Sequence, residues 1–142
     1  MDQAPIWRIF GVENIIANEI EIIKRSKSSL NMRIGFLFEN EAQQLVKVLK
    51  NKNIPINILA SPYSYIGDEK VQIIEVFDEI DVSIYKADIP FVKMLISDSN
   101  EMLHIYARFY GEKKKVLSHS AIGIWNKYED IAKNYDEGLS IN

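Results

Sequence analysis

The stretch PFVKMLISD, residues 90–98, holds a lysine and an aspartate five positions apart, Lys93 and Asp98, in an apolar run. If the run is a strand, alternate side chains share a face. Positions 91, 93, 95 and 97 then point one way, and Val92, Met94 and Ile96 point the other way, into core. A His-x-Lys pair on such a strand places a nucleophile and a cation in one site. The histidine can attack phosphorus while the ammonium neutralises the phosphate oxygens. Here Phe91 stands two positions before the lysine, and a phenyl ring cannot attack. The chain has 13 lysines, so a Lys-x-x-x-x-Asp pair is expected about once by chance. The plain reading makes Lys93 a snorkelling edge lysine and Asp98 the opening of a hairpin turn.

Other residues invite chemistry less strongly. Tyr63 and Tyr65 flank Ser64 in SPYSYIGDEK (61–70), where rings could stack on a sugar or base or simply tuck over the core. Ser118, His119 and Ser120 suggest a serine–histidine dyad, but neighbours on a strand point to opposite faces, so a polar pocket rim fits better. His104 and His119 are the only histidines and lack clustered acids, so no metal site is expected. EKKK (112–115) reads as a solvated hairpin tip. Trp125, Tyr128 and Tyr135 read as packing or dimer-interface aromatics. No Walker loop or Gly-x-Gly-x-x-Gly occurs, and no cofactor is expected.

Composition bounds the alternatives. The chain has 142 residues, 47% hydrophobic and 26% charged, with net charge −3 and no cysteine. One domain spanning 1–142 is expected. No apolar run approaches ~18 residues, so no membrane span is expected. Without cysteine there are no disulfides or thiolate sites, and a cytoplasmic location is the default. The acidic balance argues against a broad basic surface for nucleic acid.

The elements that must position these residues alternate. IWRIF (6–10) reads as a strand. The next segment places Val12, Ile15, Ile16, Ile20 and Ile23 on one helical face and Glu19, Glu21, Lys24 and Lys27 on the exposed one. Residues 30–38 read as a buried strand, 39–53 as a helix with Ala42, Leu45, Val46 and Leu49 inward, and 54–60 as a strand parallel to the first. Residues 61–70 read as a loop at a carboxyl strand end. A short helix or strand at 71–79 follows. Strands at 80–86, 91–98, 102–109 and from 116 come next, and a last helix begins after Asn126 and ends near Gly138. The expected fold is α/β, a mixed sheet flanked by helices on both faces.

Lys93, Asp98 and the missing histidine, late in such a domain and just before a hairpin, resemble a degenerate phospholipase D motif. In that superfamily a Gly-Ser-x-Asn element follows the aspartate; here the position reads Ile105-Tyr106-Ala107-Arg108. The element order and three stretches, 6–30, 89–105 and 121–138, resemble the effector-binding domain of TrmB-type archaeal transcriptional regulators. The resemblance implies a phospholipase D-like sensor domain, not an enzyme, that binds a sugar or other small-molecule effector. It implies a homodimer that meets DNA only through a separate winged-helix domain. No helix-turn-helix precedes Trp7, so a fragment or a stand-alone sensor is expected. The ligand site is expected from Lys93, Asp98, Tyr63, Tyr65, Ser118 and Ser120. A divergent phosphodiesterase and a purely structural dimerisation module are the alternatives.

Overall fold

The computed structural model describes residues 6–127. The helix expected beyond Asn126, with Tyr128 and Tyr135, lies outside them. The element order is β1 (Ile6–Phe10), α1 (Val12–Arg25), β2 (Leu30–Ile34), α2 (Glu41–Leu49), β3 (Ile56–Ala60), β4 (Tyr63–Ile66), β5 (Glu69–Gln72), α3 (Ile73–Val76), β6 (Ser83–Lys86), β7 (Lys93–Ser97), β8 (Glu101–Tyr110) and β9 (Lys115–Asn126). Seven strands form one mixed sheet in the order β1-β9-β8-β7-β2-β3-β6. β2, β3 and β6 run parallel, and β7 returns antiparallel to β2.

Register decides which face each side chain takes. Leu30, Met32 and Ile34 of β2, Ile56, Ile58 and Ala60 of β3, and Leu95, Leu103 and Ile105 join one buried cluster. Ile15, Ile16, Ile22 and Ile23 of α1 and Leu45, Val48 and Leu49 of α2 pack into it, as do Ile73 and Phe77 beside α3. The described helices therefore share one core. Burying a side chain such as Ile15 or Leu45 contributes about 1.5–3 kcal/mol each, which is why the apolar stripe overrides the modest helix propensity of the isoleucines. On the other face Met94, Ile96 and Met102 make a second cluster with Leu59.

Three sequence expectations change. Glu19, assigned to the exposed face of α1, is buried. The 61–70 loop is an antiparallel hairpin, β4–β5, pairing Tyr63 with Gln72 and turning at Gly67 with φ 60°. Its alternation was hidden by Pro62 and Ser64, which read as loop residues. The strand expected over 30–38 stops at Ile34, though Phe36, Leu37 and Phe38 stay buried. The chain leaves the ladder at Gly35, whose N–H donates to the Val92 carbonyl at 2.7 Å. A Cβ there would lie 1.7 Å from the Ile89 carbonyl oxygen, so the 89–92 backbone crosses where only a glycine fits. Gly35→Ala should therefore destabilise the domain by about 1–3 kcal/mol or more, as overpacking does. A urea-melt midpoint equal to that of the parent would contradict this close approach.

Candidate functional site

β7 is buried on both sides. Lys93, Leu95 and Ser97 face α1 and α2, whereas Met94 and Ile96 enter the second cluster. The expected division into a site face and a core face is thus corrected: both faces are core. Lys93 is only 2% exposed. Its Nζ lies 2.6 Å from Glu41 Oε1 and donates to the Phe36 carbonyl at 2.8 Å. The rings of Phe36 and Phe38 flank the ammonium at 5.2 and 5.5 Å.

The local sequence builds the partner. Glu41 opens α2, and its Oε1 also accepts the Phe38 N–H at 2.9 Å. That bond satisfies a backbone donor just before the helix, where Asn40 makes no side-chain cap. A second carboxyl arrives from α1. Burial, then the charge of Glu41, pushes the Glu19 carboxyl well above its ordinary range. Glu19 therefore keeps its proton in this core, leaving one carboxylate to one ammonium. An uncompensated buried charge would cost several kcal/mol.

Asp98 serves a different place. Register puts Lys93 opposite Ile34 and Ser97 opposite Leu30, so Lys93 and Asp98 flank opposite ends of the sheet, ~16 Å apart along the strand. Asp98 sits in the β7–β8 turn with φ 55°. Its carboxylate accepts the backbone N–H groups of Lys27, Ser28 and Ser29 at 2.7–3.1 Å and the Ser28 hydroxyl at 3.0 Å. Partial burial opposes its ionisation, but the bonds from Ser28, Lys27 and Ser29 outweigh it and hold the carboxyl below its ordinary range. Nearby, the Ser26 and Ser97 hydroxyls meet at 2.6 Å. Arg25 and Trp125 Nε1 both donate to the buried Glu101. These bonds fasten the end of α1 to β7, β8 and β9.

Phe91, at the nucleophile's position, precedes β7 and is half exposed, edge-on to Phe109 at 4.9 Å. Ser118 and Ser120 lie where β9 bulges against β8 between Tyr106 and Arg108. Ser120 Oγ accepts the Arg108 N–H at 2.8 Å and donates to the Leu117 carbonyl. The serine serves the bulge's own backbone. His104 stacks on Tyr106 at 4.1 Å; burial, then the nearby Arg33, lowers its pKa. Among the described residues no three His, Asp or Glu side chains converge as metal ligands.

A cleft of about 590 Å³ opens elsewhere, at the carboxyl ends of the parallel strands. Gly35 after β2, Ser61 after β3 and Lys86 at the end of β6 form its base. Tyr63, Ser64 and Tyr65 of β4 form one wall, and Glu112, Lys113 and Lys114 between β8 and β9 form another. Tyr63 and Tyr65 stand edge-to-face at 6.1 Å. Of the six expected site residues, this cleft gathers Tyr63 and Tyr65; Lys93, Asp98, Ser118 and Ser120 do not line it. Sequence reasoning missed Glu19 and Glu41, because polar residues in a helix pattern read as solvated. It also missed the lysines at the cleft wall, because a turn does not reveal what it leans against.

With this geometry established, solved structures supply the comparison. The chain is similar to TrmBL2, an archaeal chromatin protein described with a novel mode of DNA binding, at 15% identity and TM-score 0.60, over 94% of this chain and 50% of that one. It is similar to Nuc, a phospholipase D family member from Salmonella typhimurium, at 13% identity and TM-score 0.68, over 96% of this chain and 92% of that one. NucT from Helicobacter pylori matches at 14% identity and TM-score 0.64, over 96% of each chain. The chain thus spans half the length of the TrmBL2 chain. At these identities the likeness defines the fold: a phospholipase D-like α/β sheet domain, also present in a TrmB-like protein. No family model and no curated protein matches the sequence.

Two measurements follow. Lys93→Ala strips Glu41 of its counter-charge and should cost about 3–5 kcal/mol, read by urea melts at neutral pH. Glu19→Gln should behave oppositely. Folded Glu19 holds its proton where the unfolded chain has lost it, so parent stability falls as pH rises from the ordinary value of 4.5 through the raised one. Glutamine has no proton to lose, so Glu19→Gln should gain on the parent across that rise; parallel pH profiles would contradict the assignment. For Asp98 the sign reverses. Its bonds contribute above the ordinary value of 3.8 and are lost as pH falls through the depressed one. The stability deficit of Asp98→Ala should therefore shrink in acid, and a deficit independent of pH would exclude the carboxylate as its origin.

Proposed function

We propose that this domain is a non-enzymatic, ligand-sensing and dimerising module of a TrmB-like transcriptional regulator, working in the cytoplasm as one unit over residues 1–142. DNA contact would belong to a separate winged-helix domain. The observation that carries the reading is the burial of Lys93 against Glu41. A phosphodiesterase needs that ammonium in contact with substrate. Here it is withdrawn from solvent and saturated by a carboxylate and a carbonyl. Phe91 removes the nucleophile as well.

The fold shared with TrmBL2 supports the regulatory side of the reading, and the cleft supports a ligand. Its position at the carboxyl ends of parallel strands is where open α/β sheets bind small molecules, and its size falls within the usual range of about 300–1,000 Å³. In this reading Tyr63 and Tyr65 touch the effector. Lys93 acts on it only indirectly, by holding the β2–α2 connection through Phe36 and Glu41. Asp98 and Ser120 hold backbone beyond the cleft, and Ser118 does not line it. A ligand that binds one arrangement of the two hairpins better than another would shift the domain between states.

Incubation with bis(p-nitrophenyl) phosphate should give no turnover, with or without Phe91→His, because the restored imidazole would still lack an accessible ammonium. Turnover by the parent protein that disappears in a Lys93 variant still folded by its melting curve, Lys93→Ala or Lys93→Met, would overturn the non-enzymatic reading. A metabolite screen by thermal shift separates a sensor from a purely structural module, since a ligand that binds only the folded state raises the melting temperature.

A further inference from the structure

Resting on the sensing reading above, we propose that the cleft between the β4–β5 and β8–β9 hairpins binds a small anion, a phosphorylated or carboxylate metabolite, through Lys86, Lys113 and Lys114. The chain as a whole is acidic, at −3. Around this cleft the balance inverts: these three lysines line it, against the carboxylates of Asp88 and Glu112.

The three ammonium groups make no close acid contact among the described residues, although the charge of Lys113 reaches Asp68 of the β4–β5 turn. Lys113 is held above the Tyr65 ring at 5.1 Å, and Lys114 above the Phe91 ring at 5.7 Å. Their neighbour Lys115 behaves differently: it pairs with Asp68 in the β4–β5 turn. That pair ties the two hairpins together across the cleft, and Gly111 and Lys114, both at positive φ, turn the connection back sharply. Lys113 therefore faces the tyrosine wall, whereas Lys114 lies over Phe91 at the cleft's edge.

The remaining lining suits a ligand with an organic part. Tyr63 and Tyr65 present two perpendicular rings. Ser64 Oγ, between them, is buried and has no hydrogen-bond partner among the described residues. Strand alternation turns that hydroxyl to the opposite side of β4 from the two rings, so the ligand's wall is made by the rings and not by Ser64. Single exposed ion pairs contribute little, so the anion must be met by several ammonium groups at once. Asp88 and Glu112 limit how much negative charge the cleft tolerates, which favours a small anion over a nucleic-acid backbone.

The test uses the whole chain, ¹⁵N-labelled, titrated with pyrophosphate, glucose 6-phosphate, citrate and, as the neutral counterpart, glucose. At least one anion should shift the amides of Tyr63–Tyr65 and Glu112–Lys114 saturably. The affinity should fall roughly tenfold or more, the equivalent of about 1.4 kcal/mol, in the double variant Lys113→Glu, Lys114→Glu, and it should weaken with added salt. Both positions are exposed, so the variant should melt like the parent. Absence of shifts with all three anions, or anion binding indifferent to charge reversal, overturns the proposal. Glucose binding to the same amides, unaltered in the double variant, also overturns it while leaving the sensing reading intact. Phosphodiester turnover, measured separately, is the outcome that removes the sensing reading itself.

Discussion

A lysine sealed inside a hydrophobic core must be neutralised, and much of this domain is arranged around meeting that demand. Lys93 enters the core because its neighbours Leu95 and Ser97 must face the helices, and strand alternation carries it along with them. Once there, its ammonium needs a carboxylate and a carbonyl. Glu41 supplies the first from the start of α2, and Phe36 supplies the second by leaving the β2 ladder. The end of β2, the entry to α2 and the start of β7 are thus tied at one point. The cost is a second acid, Glu19, which shares the site only because it stays protonated.

That arrangement separates two residues that the sequence places only five positions apart. The lysine and the aspartate have separate structural tasks at opposite ends of β7. Lys93 neutralises the core beneath the helices. Asp98 gathers three backbone N–H groups from the α1–β2 connection that would otherwise lack partners. Neither task requires a histidine at position 91, where Phe91 instead packs on Phe109 and carries Lys114 over its ring.

The cleft is assembled by a different device. The β4–β5 hairpin is inserted between β3 and α3, outside the main sheet. It rises at the carboxyl ends of the parallel strands, and the Lys115–Asp68 pair holds it against the β8–β9 turn. The sheet provides a rigid base, whereas both walls are hairpins with few buried contacts, the kind of segment in which low-cost opening concentrates.

Local pattern was enough to find α1, α2 and the β2–α2–β3 parallel unit, because isoleucine and leucine spacing reports directly which face is buried. The hairpin at Asp98 was equally legible, since turn chemistry depends on only a few adjacent residues. Glu19 was misplaced, because a charged side chain on a helix looks solvated until its partners are known. Those partners, Glu41 and Lys93, lie 22 and 74 positions away in the chain. The same limit hid the cleft: Tyr65 and Lys113 face each other only because two hairpins distant in sequence come together. The sequence alone determined that Lys93 and Asp98 lie five apart and that Phe91 stands two before the lysine, since both depend on residue identity and short spacing. Only the tertiary structure decided that Lys93 is buried and paired with Glu41, because burial and charge pairing are set by distant segments brought together.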